Sequence, residues 1–541
     1  MAVDIQEATS WPVNELGEIV AQAGVGTNTI VGWLPSSMLP LDSTTNKIGI
    51  VSEPKILEKS VILYGDSTWG NTNVNAVPAT TPTYNPVTGL LTLNITSHGN
   101  YTGMDCRVAC TGFPMWNIDN VKMTRIDANN LSVVIKAGIT DTIPAASKWR
   151  FYTNVALQDA TPFSFLRCGR PTLVNMGVNG ETVEEILARK DAVIASPVKT
   201  VFMRCGANNA SNDISGATTN LAQIEPVVEQ FVRVGKTVVL TLIPPVGTGA
   251  NQGRYIRTLN DGLILIAKKY GCLIADEFSA YVDPANATGS AKANYLQSDN
   301  THSTSKGSRI AAAVWQPIVD SIFGTIPSST PKSGLEGYHV TNNPSARNVF
   351  SNPMLLTTTG GTSGSASAIT ATAIAGGMKV YATGGWGAGS VTATVPAEAN
   401  GNGNCQRLVG APTAALDQMK ITTEGDASAM AGRCVSGNVY KGAARVRCSG
   451  LTGQNIVRAI TFQVSFTNAE GSFGKILDHT WNAALSHNEF LCQDFDRDFE
   501  TPPFTLPAGV TSIYLDARLT FGGAGTAVTF EVAQLGLVLV S

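Results

Sequence analysis

At 541 residues the chain is longer than a single hydrophobic core normally serves, so roughly two to four domains are expected. Only 14% of the residues are charged and the net charge is -3, which leaves no basic face for a phosphate backbone and excludes nucleic acid as a natural partner. A composition rich in Gly, Thr, Ser, Asn and Ala favours short strands and tight turns over long amphipathic helices.

Residues 1–54 read as an N-terminal extension of open role. They carry Asp4, Glu7, Glu15 and Glu18 before the first basic side chain, Lys47. A secretory signal needs a positive start and an apolar core, so none is expected here. No run of about 18 apolar residues occurs anywhere, which argues against a membrane-spanning helix and for a soluble chain. The stretch VILYGDSTWG at 61–70 is an apolar strand that stops at Gly-Asp-Ser. Taken alone it is equally a strand-to-helix turn capped by Ser67 and a strand end that presents Ser67 as a nucleophile. Trp69 just beyond it either packs beneath the following helix or walls a sugar-binding site.

Residues 77–160 interrupt with short alternating segments, GLLTLNITSHGNYTG, DCRVACTGFP and NIDNVKMTRIDANNLSVVIKAG, joined by Gly and Asn turns. They predict a small inserted β-domain. The flanking segments, 55–76 and 161–327, alternate β-rich runs (VILYG, TLVNMG, TVFMRCG, TVVLTLIPP, CLIADEF) with helical patterns such as ETVEEILARKDAVIAS and TNLAQIEPVVEQFVRVGK. That alternation predicts a parallel α/β sheet with helices on both faces, whose ligands lie beyond the carboxyl ends of the strands.

A serine nucleophile needs a base, a group that orients the base, and donors for the oxyanion. Of the five histidines only His302 falls within the α/β segments, in SDNTHSTSKGSR, with Asp299 three residues before it. On one tight loop that spacing lets Asp299 accept the Nδ1 proton and aim Nε2 at Ser67, although Asp299 is equally able to cap the next helix. In LVNMGVNGET, Gly177 follows a strand and precedes a helix, so its amide can face the site; in VFMRCGANNAS, Asn208 follows a strand end and carries a side-chain amide. Asp66 is read as a structural turn residue.

The polar SSTPKSG at 328–334 reads as a linker, and residues 335–541 alternate at period two in runs such as AITFQVSF, TSIYLDARLTF and TAVTFEVAQLGLVLV, which predict an all-β sandwich or jelly roll that binds or assembles. Nine cysteines lack the paired spacing of a zinc or redox site, so no metal and no cofactor is implied; Cys405 with Cys434 or Cys448 could pair within the last domain.

The four blocks GDST, NMGVNG, GANN and DNTH stand in the order of the SGNH, or GDSL-type, hydrolase family, and over about 250 residues the chain resembles that family. The resemblance implies a three-layer α/β/α domain in which Ser67 is nucleophile, His302 base and then acid, and Asp299 orienter. The Ser67 amide, Gly177 amide and Asn208 side chain are then the oxyanion donors. Asn209 departs from the Asp that the family often places after the block-three Asn. The insert is similar to small β-barrel modules of phage tail proteins, through His98, Gly99, Thr102, Gly103, Asp127 and Asn129. Together these resemblances imply a phage tailspike or tail-fibre esterase that deacetylates a bacterial surface polysaccharide, carried on the virion tail as a homo-oligomer, with a trimer the usual form, and in contact with other tail proteins. A bacterial extracellular carbohydrate esterase with a binding module and a non-catalytic adhesin are the competing readings.

Overall fold

The computed structural model describes residues 60–540 apart from 68–72, 158–161, 163–165, 167–171, 210–212, 247–249, 286–288, 294, 298, 325–327, 340, 342–345, 365–366, 400–402, 452–455 and 479–493; before residue 60 it describes the backbone of five short strands. Residues 1–59 form one compact unit and residues 60–541 another. In the first, Ala2–Asp4, Lys47–Gly49 and Leu41–Asp42 make an antiparallel sheet, and Ile19–Val20 pairs with Trp33–Leu34.

The second unit is built on a five-stranded sheet of β1 (Ser60–Gly65), β2 (Thr172–Gly177), β3 (Thr200–Arg204), β4 (Thr237–Thr241) and β5 (Leu273–Ala275). Their spatial order is β2-β1-β3-β4-β5 and every pair is parallel. Successive side chains of β1 enter different cores. Val61 and Leu63 pack with Trp315 and Val319 of α6 (Ser305–Phe323), whereas Ile62 and Tyr64 pack with residues of α3 (Ile214–Arg233) and α4 (Ala250–Tyr270). A strand covered on both faces must be apolar at every position, which is why β1 reads as an unbroken VILY run. Register brings Gly65 level with Gly177 on one side and Arg204 on the other, so three strands end along one line. Among the described residues the other α-helices of this α/β region are α1 (Val183–Leu187), α2 (Lys190–Ala195) and α5 (Glu277–Tyr281).

Between β1 and β2 lie two four-stranded antiparallel sheets. One runs Ile118–Lys122, Asp105–Cys110, Trp149–Leu157, Asn73–Ala76; the other Thr124–Arg125, Asn130–Val134, Leu90–Asn94, Thr83–Asn85. Among the described residues no strand pairing joins the two sheets into a closed barrel. The motif residues of this insert hold its turns: Asp127 Oδ1 accepts the amides of Asn129 (2.7 Å) and Asn130 (2.9 Å), and His98 Nε2 lies 2.9 Å from the Asp127 carbonyl. Gly99 and Gly103 take φ of +60° and +89°, which only glycine adopts at little cost.

Beyond residue 360 two mostly antiparallel sheets pack face to face. Gly442 of one lies so close to the other that a Cβ there would sit 2.6 Å from Leu515 and 2.7 Å from Val464. Residues 328–334 are not a free linker: Thr330 is buried, its hydroxyl reaches Asp498, and the Ser329 amide donates to Glu500. Cys405, Cys434 and Cys448 are free thiols, so no pairing joins them. Among the described residues no helix is long and apolar enough to cross a membrane, and no cluster of three or more His, Cys, Asp or Glu side chains could hold a metal ion.

Candidate active site

Ser67 is two residues past the end of β1 and only 6% exposed. The loop that faces it is a narrow turn closed by the Leu296–Ser303 bridge, with the Gln297 amide donating to the His302 carbonyl at 2.7 Å and Gln297 Nε2 donating to the Ser303 carbonyl at 2.9 Å. Asn300 at its tip has φ +53°, the left-handed conformation that asparagine tolerates better than most residues. This turn folds Asp299 and His302 to one side. His302 Nε2 stands 2.9 Å from Ser67 Oγ, and His302 Nδ1 stands 2.7 Å from Asp299 Oδ2. The other carboxylate oxygen, Asp299 Oδ1, accepts the amides of Thr301 (2.9 Å) and His302 (3.0 Å). Partial burial pushes the Asp299 carboxyl up, but the bond from His302 and these two amides outweigh it and hold the group below the usual carboxylate range. Asp299 therefore orients the imidazole rather than capping α6, a task that Thr304 performs through Gly307.

Asn208 stands on the turn after β3. Its Nδ2 donates one hydrogen to the Glu181 carbonyl at 2.8 Å and keeps a second, and the residue is exposed. Asn209, where the family often has Asp, is buried and uses its Oδ1 to accept the Val183 amide at 2.9 Å, so an amide oxygen serves where a carboxylate oxygen would.

Gly177 is the residue to correct. Its amide donates to Asn175 Oδ1 at 2.8 Å and its carbonyl accepts from Arg107, so neither backbone group is free to meet a substrate. Gly177 is still part of β2, and the loop proper begins after it. Within that loop Gly180 has φ +81°, open space where a Cβ would stand, and no hydrogen bond to its amide among the described residues. A sequence signal for this position exists: Thr182 and Glu185 form a capping box, with the Thr182 amide donating to Glu185 Oε2 at 2.9 Å, which fixes the start of α1 and leaves 178–181 as the turn. Trp69, and the helix expected after Ser67, lie outside the described residues.

Beneath this loop Arg189 ties three segments together. It pairs with the buried Glu181, donates to the Met176 carbonyl at 2.8 Å, and reaches the Gly65 carbonyl at 3.2 Å. Burial raises the Glu181 carboxyl, and the Arg189 charge opposes that rise. On the opposite side of the sheet, Arg204 pairs with the fully buried Glu277, which also accepts Trp315 Nε1 at 2.7 Å.

Residues 136–310 match the sequence model of the GDSL-like Lipase/Acylhydrolase family. That range contains the 177, 208, 299 and 302 positions but not Ser67, which the insert separates from it in sequence and the β1–β2 and β1–β3 pairings restore in space. The solved structures that are similar to part of the chain include three with descriptive names. A GDSL-like lipase from Bacteroides thetaiotaomicron VPI-5482 is 18% identical over 28% of this chain and 76% of its own, with a TM-score of 0.25. The lipase/acylhydrolase from Enterococcus faecalis is 20% identical over 29% and 79%, at 0.24. An acetylxylan esterase from Geobacillus stearothermophilus is 19% identical over 27% and 71%, also at 0.24. No curated protein matches the chain.

Proposed function

From a chain whose residues 136–310 match the GDSL-like lipases and acylhydrolases, we infer a serine carboxylic ester hydrolase that removes acetyl groups from a polysaccharide. The observation that carries the reading is the continuous Ser67–His302–Asp299 relay at 2.9 and 2.7 Å. Neutral His302 accepts the Ser67 proton as Oγ attacks the acetyl carbonyl carbon, and Asp299 stabilises the resulting imidazolium. The carbonyl oxygen gains the negative charge and is met by the Asn208 side-chain amide, the Ser67 amide and, in place of Gly177, the Gly180 amide. When the C–O bond to the sugar breaks, His302 returns its proton to the leaving hydroxyl. A water molecule, deprotonated by the same histidine, then attacks the acetyl-serine and releases acetate.

Two features support a polymeric glycan ester. Asp299 and His302 keep 46% and 23% of their side-chain surface exposed and Asn208 is exposed, which leaves these groups open to an acetyl carried on a bulky chain. Glycosidic cleavage needs two cooperating carboxylates about 5–10 Å apart. Here Asp299 is engaged by His302 and Asp66 is fully buried. The β-rich insert and C-terminal region suit recognition and assembly, and with the tail-module motif of the insert they support placement on a phage tail as a homo-oligomer.

The test is direct. An organophosphonate should label Ser67 in the wild type and nothing in Ser67→Ala, and incubation with acetylated host polysaccharide should release acetate without shortening the chain. Fragments in place of acetate would overturn the reaction, acetate from simple esters alone would overturn the polysaccharide substrate, and an unlabelled, inactive protein would favour an adhesin.

A further inference from the structure

The insert touches the site at a place that an appended recognition module has no need to touch. Three consecutive residues at the end of β2 are held by it. The Gly177 carbonyl accepts from Arg107, a buried side chain on the strand Asp105–Cys110. Val178 forms a small buried cluster with Ala109 and Tyr152. Asn179 is gripped at both ends of its backbone: its amide donates to Tyr152 Oη at 3.1 Å, and its carbonyl accepts from Thr111 Oγ1 at 3.1 Å. Tyr152 Oη also lies 3.4 Å from Asn179 Oδ1, and the Arg107 guanidinium stacks 4.0 Å from the Tyr152 ring centroid, so the two side chains brace each other. The next residue is Gly180, whose amide has no hydrogen bond among the described residues and whose φ of +81° gives the turn its freedom.

We propose that the inserted β-domain is a working part of the esterase site: through Arg107, Thr111 and Tyr152 it fixes residues 177–179 and thereby sets where the Gly180 N–H meets the oxyanion. This rests on the esterase reading above. The physical reason is preorganisation. A glycine turn anchored on one side only would spread its amide over several orientations, and a donor stabilises the transition state only when its direction is set before the charge develops. Arg107, Thr111 and Tyr152 are positioning residues, acting on the substrate through the loop.

Tyr152→Phe and Thr111→Val delete one hydroxyl each and keep the shape of the side chain. Losing an oxyanion donor outright costs about 10²- to 10³-fold, so loosening one should lower kcat on a small acetyl ester by about tenfold in Tyr152→Phe, with KM within about twofold of wild type. A role confined to fold stability would lower the melting temperature and leave kcat per folded molecule unchanged. Amide hydrogen exchange across 178–182 should accelerate in both variants while exchange in β1 and β3 stays as in wild type. Unchanged exchange in that loop, or unchanged kcat in a Tyr152→Phe enzyme whose wild type is active, would overturn the proposal. Should the wild type show no Ser67-dependent turnover, the esterase reading and the catalytic half of this proposal fall together, and the exchange measurement still decides whether the insert holds the loop.

Discussion

At the scale of single residues the proposed reaction assigns proton transfer to His302 and charge stabilisation to separate amide donors. Asn208 has one amide hydrogen bound to the Glu181 carbonyl, which fixes its plane, and one left over. Asn208→Ala should therefore lower kcat by about 10²- to 10³-fold with little change in KM, measured on a chromogenic acetyl ester. For Asp299 the sign of the pH effect follows from its depressed folded value. Its contribution to stability is present above the ordinary carboxylate range and is lost as pH falls through the lower folded value. Urea titrations should show stability falling less steeply below about pH 4 in Asp299→Asn than in wild type. An identical pH dependence in the two proteins would show that the His302 and backbone bonds to Asp299 are not maintained in solution.

At the scale of elements, the carboxyl ends of β1 and β2 are locked together by a buried charge. Arg189 joins Glu181 of the loop to the ends of β1 and β2, and Glu181 is 2% exposed. Removing the guanidinium strands a carboxylate in the interior, which typically costs about 3–5 kcal/mol. Arg189→Met should lose that much by denaturant unfolding, and Arg189→Met with Glu181→Gln should recover part of it. A single variant within about 0.5 kcal/mol of wild type would mean that Glu181 is solvated or neutral.

At the scale of the molecule, the α/β region, the insert and the C-terminal β-rich region lie within one compact unit and share a hydrophobic core. The insert stands between the other two. On one side it holds residues 177–179; on the other, Tyr101 is 1% exposed, with its ring 4.9 Å from Phe466 and 5.4 Å from Phe473 of the C-terminal region. Arg125 and the Thr102 amide both bond Glu470 across the same contact. A chain ended after Ser329 should expose this aromatic patch, aggregate or melt at a lower temperature than the full chain, and lose small-ester activity with its fold. A monomeric fragment with wild-type melting and turnover would show instead that the insert holds its shape unaided.

The hydrogen-bonded set of Ser67, His302 and Asp299 was legible in the sequence because its parts are local or positional. A strand buried on both faces announces itself as VILY, it must end where Gly-Asp-Ser breaks the pattern, and a D-x-x-H turn carries base and orienter on one short loop. The loop after β2 was legible only in outline. Gly177 and Gly180 are both loop-like by composition, and what separates them is a hydrogen bond from Gly177 to Asn175 and the register that keeps Gly177 inside β2. Nor could composition tell that SSTPKSG is packed against Glu500 and Asp498, since exposure is set by what lies opposite a segment. Periodicity and spacing along the chain were enough for the α/β class, the β-rich remainder and the meeting of Ser67, His302 and Asp299. That Arg107, Thr111 and Tyr152 reach the loop at 177–179 came to light in the packed molecule, because contacts between residues about 25 to 70 positions apart depend on how separate sheets dock, and no local pattern encodes that.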